Sequence, residues 1–183
     1  MLAEQQPLGW MRRTAGFLAA LLLVASTPVF AQETDKGLSL ASIGKRVALD
    51  PTTYAPAIIA YKATRWDWDT SQPFFQRGVN EMNPRFTVSG LPNDVPISYA
   101  AGNRKILMDA LATLQISVLS NTASRFTEAM LEQRYPEHRK LIRTLGWAER
   151  ISLGAFLSYK LSHQHFEQAQ LNQTWSRQLG YTR

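Results

Sequence analysis

The residues whose types and spacing suggest chemistry lie in DWDTSQPFFQRGVNEMNP, from Asp67 to Pro84. Placed on a helix, Asp67, Thr70, Phe74, Gly78 and Glu81 follow one another in steps of three or four and form one stripe. Two carboxylates and a hydroxyl on one face describe a polar pocket between helices, suited to a cation or a polar ligand. Asn83 closes the stretch. Asp109 on a second helix and Arg150 on a third are candidates for the same pocket. The plainer reading is structural, with Thr70 bonded to backbone and the acids paired with Arg or facing water, and it is preferred because polar helical stripes are seldom catalytic.

No residue is assigned a catalytic role. His163 and His165 project about 200° apart on a helix, so they do not chelate one ion together. No HExxH accompanies them, and the chain has no Cys, so no metal or other cofactor is expected. G-x-S-x-G and phosphate-cradling glycine loops are absent as well. Ser152, Ser158 and Ser162 line one helix without a neighbouring His–Asp pair. Asp109, Gln115 and Asn121 interrupt an apolar run in the manner of hydrogen-bonded core residues.

Three long helices must position these groups. Asp50-Pro51-Thr52-Thr53 is a start signal for the first. Its buried face carries Ala57, Tyr61, Thr64, Trp68, Ser71 and Phe75, and Lys62, Arg65 and Asp69 lie opposite. Pro73 is expected to kink this helix, and Asn83-Pro84 to end it. Residues 85–97 are rich in turn formers. Ser98 is the expected N-cap of a second helix running to Arg134. The apolar run Ile106–Leu119 within it suits a buried bundle helix. Tyr135-Pro136 breaks the chain, and a third helix is expected from Glu137 to Asn172. Its ridge is Ile142, Leu145, Leu153 and Phe156, and Gly146 and Gly154 on one side would admit a second backbone. Trp66, Trp68, Trp147, Phe74, Phe75 and Phe156 are read as core. Residues 174–183 are read as a frayed tail. The expected fold is all-α, an up-down-up bundle.

The central stretch resembles the D-x-x-T…G-x-x-E-x-N-P motif of a family of small bacterial three-helix proteins to which no activity is assigned. Asp67, Thr70, Gly78, Glu81, Asn83 and Pro84 carry the match. The resemblance implies helices that are commonly membrane-embedded. Arg65, Asp109, Arg125, Glu149 and Arg150 depart from a plain membrane-spanning pattern.

At the N-terminus, Met11-Arg12-Arg13, the apolar Phe17–Val24 and Val29-Phe30-Ala31 form the three regions of a signal peptide cut before Gln32. Met11 is a candidate start. Residues 32–50 are read as a flexible leader with a short turn at Leu38–Val47, and residues 51–183 as the helical domain. The chain carries a net charge of +6, which favours anionic lipid or envelope polymer over nucleic acid for an exported protein. Arg134, Arg139, Lys140 and Arg143 are the candidate contact with an anionic membrane surface. Without Cys, packing alone holds the fold. The leading expectation is a non-enzymatic structural or interaction module of the periplasm or cell envelope, with an unidentified protein or envelope component as partner. The alternatives are a ligand-binding protein or enzyme using Asp67, Glu81, Asp109 and Arg150, and a membrane-embedded helical protein.

Overall fold

A computed structural model describes residues 39–181; the expected signal peptide, and the leader before residue 39, lie outside them. Four α-helices follow in order: α1 (Leu40–Ala48), α2 (Ala55–Phe75), α3 (Tyr99–Arg134) and α4 (Arg139–Gln178). The described residues contain no strand, and two isolated β-bridges lie in the connection from α2 to α3. The fold is all-α as expected, with one short helix more than the three expected.

That extra helix lies where a flexible leader with a short turn was expected. Ile43 and Val47 are its buried positions, four apart and therefore on one face. Asp50 then caps a single 3-10 turn, Pro51–Thr53, by accepting from the Thr52 N–H at 3.1 Å and the Thr52 hydroxyl at 2.7 Å. The start signal read at Asp50-Pro51 thus caps this 3-10 turn and not the long helix, which begins at Ala55 with no side-chain cap. It turns the chain into α2, and the Thr53 hydroxyl ties the turn back to the Val47 carbonyl at 2.8 Å.

α2 and α4 run the same way and α3 runs against them. Thr52 and Pro56 lie beside Gly154, and further along Asp67 reaches His165. Trp68, by contrast, lies over Gly102, while Thr53 reaches Asn121. This is the expected up-down-up order. Ala57, Ala60 and Ala63 are the small buried positions of α2. Opposite them, Gly154 lets the Thr52–Pro56 segment come within 3.7–4.0 Å of where a Cβ would stand.

α2 runs through Pro73 and stops at Phe75, well short of Asn83-Pro84. Gly78 ends it. Its φ is +82°, and the Gly78 N–H donates to the Phe75 carbonyl at 3.0 Å while the Val79 N–H donates to that of Phe74 at 3.2 Å. This pair of bonds is a Schellman motif, which needs a left-handed residue for which glycine has no Cβ penalty. The five-residue stripe therefore ends at Phe74, and Glu81 belongs to a loop. Nothing lies within 4 Å of a Cβ built on Gly78, so no neighbour packs closely against it. Gly78→Ala should cost about 1–2 kcal/mol through the left-handed backbone, and Gly78→Leu should cost about the same. Urea unfolding of the two variants checks this; a much larger loss for Leu would mean that the position is packed.

The loop folds back on the bundle. Glu81 and Asp94 exchange backbone bonds of 2.8 and 3.2 Å, and the Ile97 N–H donates to the Phe86 carbonyl at 2.8 Å. Phe86 is thereby stacked on Trp68 at 5.2 Å. Trp68, Phe86 and Ile106 form the apolar core, with Tyr61, Phe75 and Ile97 around it. Ser98 caps α3, accepting from the Ala101 N–H at 3.3 Å. Tyr135 and Pro136 end α3 and start a 3-10 turn into α4 as expected. α4 runs past Asn172 to Gln178, so the first half of the expected tail, residues 174–178, is helix, and Ser176 in it is buried.

The apolar faces of α3 and α4 that were expected inside lie mostly outside. The buried positions of α3 are Gly102, Ile106, Thr113, Ser117, Asn121, Ser124 and Glu128. Those of α4 are Arg150, Ser158, Ser162, Ala169, Asn172 and Ser176. Leu107, Met108, Leu111, Ile116, Val118 and Leu119 are exposed on α3, as are Leu145, Trp147, Ile151 and Phe156 on α4. The run Ile106–Leu119 is thus mostly an outer face rather than a core. Trp147 and Phe156 also lie outside, whereas Trp68 is buried as expected.

Candidate functional site

Two polar centres lie between the helices. The first is a cluster of buried charge. Arg150 donates to Asp50 Oδ2 at 3.1 Å, to Glu128 Oε2 at 2.8 Å and to Ser124 Oγ at 3.2 Å. Arg125 reaches the same Asp50 oxygen at 2.8 Å and Glu128 at 3.3 Å. The Ser124 hydroxyl donates a hydrogen bond to Glu149 Oε2 at 2.7 Å. Burial opposes ionisation of Asp50, but the Thr52 bonds and the Arg125 guanidinium outweigh it and hold the carboxyl below its ordinary 3.8. Gly146 makes room for the cluster, because a Cβ there would come within 2.7 Å of Glu128 Oε2. Two guanidiniums bond to two buried carboxylates, and although Arg125 Nε is left without a partner, little capacity remains for a ligand. The arrangement is structural.

Arg150 and Asp67, both candidates for one pocket, do not meet. The small-residue face of α4 does carry a buried Arg answered by acid, but the acids are Asp50 and Glu128. Asp109 does not take part either. It pairs on the surface with Arg85, whose Nε is 2.7 Å from Oδ2.

The second centre surrounds Asp67. His165 Nδ1 lies 2.8 Å from Asp67 Oδ2, and Asn172 Nδ2 donates to Oδ1 at 3.3 Å. The same Asn172 amide donates to Ser71 Oγ at 2.9 Å and reaches Thr70 Oγ1 at 3.4 Å. Thr70 also bonds to the Trp66 carbonyl at 2.9 Å, as the structural reading expected. Beside this network a cleft of about 340 Å³ opens between α2, α4 and the loop after α2. Asp67, Glu81 and Asn83 line it, together with Ser71, Gln168 and Asn172. Asn83 caps the 3-10 turn Pro84–Phe86 by accepting from the Arg85 N–H at 3.1 Å, and its own N–H donates to Glu81 Oε1 at 2.7 Å. Burial pushes the Glu81 carboxyl up; the Asn83 bond opposes this, and the Asp67 charge adds to it.

Of the six candidate residues, the fold therefore gathers Asp67, Glu81 and Asn83 at the cleft, with Thr70 just behind. It leaves Asp109 and Arg150 elsewhere. Asn172 and Trp175 are members that the sequence did not single out, and His165, weighed there only as a metal ligand, instead holds Asp67. Asn172 and Trp175 are three apart, and His165 lies seven before Asn172, which is helical spacing from one face. His163 is separate, stacked on Tyr159 at 4.5 Å. No group of three or more metal-binding side chains occurs among the described residues.

No family model, curated protein or solved structure matches this chain. The function must be argued from its own residues.

Proposed function

We propose that this chain is a non-enzymatic helical module of the cell envelope, seated with the outer face of α3 and the adjoining part of α4 in membrane hydrocarbon. The observation that carries the reading is the reversed polarity of α3. Its buried stripe is small and polar and its exposed stripe is apolar. In water that arrangement leaves the hydrophobic effect unused. In lipid it is the ordinary one, since helices there meet through small and polar residues and turn their apolar side chains outward.

The dimensions agree. Between Lys105 and Arg125, α3 carries Asp109 as its one charged residue, and that residue is paired with Arg85 near one edge. Nineteen residues at 1.5 Å each span about 28 Å, against a hydrocarbon thickness of about 30 Å. α3 is the helix among the described residues long and apolar enough to cross a membrane. On α4 the apolar strip is shorter, running from Ile151 to Tyr159, because Lys160 and Glu167 are exposed beyond it. Arg134, Arg139 and Lys140 stand exposed at the turn from α3 to α4, where anionic headgroups would meet them. Arg143 at the same turn is bound to Glu132 at 2.7 Å.

The absence of Cys makes a direct test simple. A spin label on Leu119→Cys, in the full chain reconstituted in lipid, should be accessible to oxygen and shielded from an aqueous nickel chelate. A label on Gln133→Cys should show the opposite. Equal exposure of both labels to the chelate would refute membrane seating and return the chain to a soluble envelope module.

A further inference from the structure

The cleft beside Asp67 has a chemistry unlike the rest of the molecule. The chain is basic, with 20 Lys and Arg against 14 acids. Yet the two charged residues in the wall of the cleft, Asp67 and Glu81, are both acidic, and no Lys or Arg lines it among the described residues. Much of the remaining wall is aromatic: Phe74 and Phe75 from α2, Phe86 from the loop and Trp175 from α4. Acid beside ring faces is the pair of features that recognises a cation bearing carbon. A bare metal ion would need several oxygen ligands in place of rings, and a neutral apolar ligand would make no use of the two carboxylates.

We infer that the cleft binds an organic ammonium ion, a primary amine or a quaternary ammonium group, with the cationic nitrogen between Asp67 and Glu81 and its carbon substituents against Phe74, Phe75 and Trp175. The two carboxylates differ in readiness. Asp67 is oriented by His165 and Asn172 from behind, and each carboxylate oxygen retains a lone pair beyond the bond it already accepts. Glu81 stands on the loop and is held by one backbone N–H at 2.7 Å. Its carboxyl is raised first by burial and further by the Asp67 charge, and an arriving cation would favour the ionised form against both. Trp175 is about half exposed at the cleft, a position for a ring that becomes covered when a ligand enters. The inference does not depend on membrane seating, because the cleft is made by α2, α4 and their loop.

The experiment uses the full chain, purified in a detergent without an ammonium group, with choline as the probe and its neutral isostere 3,3-dimethylbutan-1-ol as the control. Tryptophan fluorescence should change saturably with choline, and the isostere should bind at least about tenfold more weakly, since it lacks the charge that both carboxylates answer. Glu81→Gln should weaken choline binding about tenfold, and Trp175→Ala should abolish most of the fluorescence response. Glu81 lies in a loop away from the charge cluster, so this variant keeps the test sound if Asp67→Asn does not fold. A second arm replaces choline by dihexanoylphosphatidylcholine, with dihexanoylphosphatidylglycerol as its partner lacking the ammonium. Binding of the choline lipid in preference to the glycerol lipid, with or without binding of free choline, supports the inference and names a headgroup as the source. Equal binding of choline and its isostere, or no binding of either choline form, overturns it.

Discussion

Replacing Arg150 by Met should cost the fold about 3–5 kcal/mol, because removing one partner strands buried charge. Arg150 is 3% exposed, and its partners Asp50 and Glu128 are 8% and 4% exposed. With Arg150 gone, Glu128 keeps only Arg125 at 3.3 Å, and Asp50 keeps Arg125 and the Thr52 bonds. Asp50→Asn should be smaller in effect, since an amide still satisfies part of the network. The informative measurement is the double-mutant cycle, read by denaturant unfolding in mild detergent. The double variant should be less destabilised than the sum of the singles, because once Arg150 is absent the Asp50 charge no longer has that partner to lose. Strict additivity would contradict the contact. The acid limb of stability carries the same signature. Asp50 has its folded value below 3.8, so the unfolded chain takes up that proton first as pH falls. Its contribution is complete above the unfolded value and is lost as pH falls through the folded one. Asp50→Asn should flatten that part of the acid profile.

The second large effect is expected at Gly102. A Cβ there would lie 2.3 Å from Trp68 Cε2 and Cζ2 and 2.6 Å from Nε1, closer than atoms can approach. Trp68 has little freedom to retreat. It is stacked on Phe86 at 5.2 Å, tilted against Phe75 at 5.5 Å, and its Nε1 faces the Tyr99 carbonyl at 3.4 Å. Gly102→Ala should therefore lose about 1–3 kcal/mol through overpacking even though alanine is the better helix former. Trp68→Leu alone should also destabilise, by opening a cavity. Combined, the two should cost less than their sum, because the smaller side chain vacates the space that the new methyl needs. If Gly102→Ala raises thermal stability, the Trp68 contact is not the one described.

Much of the architecture was legible locally. Ser98 as a cap, Tyr135-Pro136 as a break and Asp50-Pro51 as a start are decided by one residue's side chain or missing N–H, so they can be read from a few letters. The backbone approach expected at Gly154 is found there, but at Gly146 the space is taken by the Glu128 carboxylate and not by a second backbone. The end of α2 was misread because Gly78 fits two descriptions. It is a gap on an interior stripe or a left-handed terminator, and the Asn83-Pro84 signal five residues on drew the boundary too late. With it went the placement of Glu81, which reaches Asp67 by a loop turning back rather than along a shared face.

By itself the sequence determined the class of fold and the order of the three long helices, while its two polar stripes were not read as such. Thr113, Ser117, Asn121, Ser124 and Glu128 recur at helical spacing, as do Arg150, Gly154, Ser158 and Ser162. Spacing groups residues on one face, but it does not say whether that face turns inward, since the sign depends on what surrounds the bundle. Only the tertiary structure decided that these stripes are the inside. It alone brought Asp50, distant in sequence and read as part of a leader, to Arg150, because α1 and the capped turn after it are packed beside the middle of α3 and α4. A buried guanidinium requires an acid, and that much follows from its type and its small neighbours. Which acid arrives is set by the path of the chain.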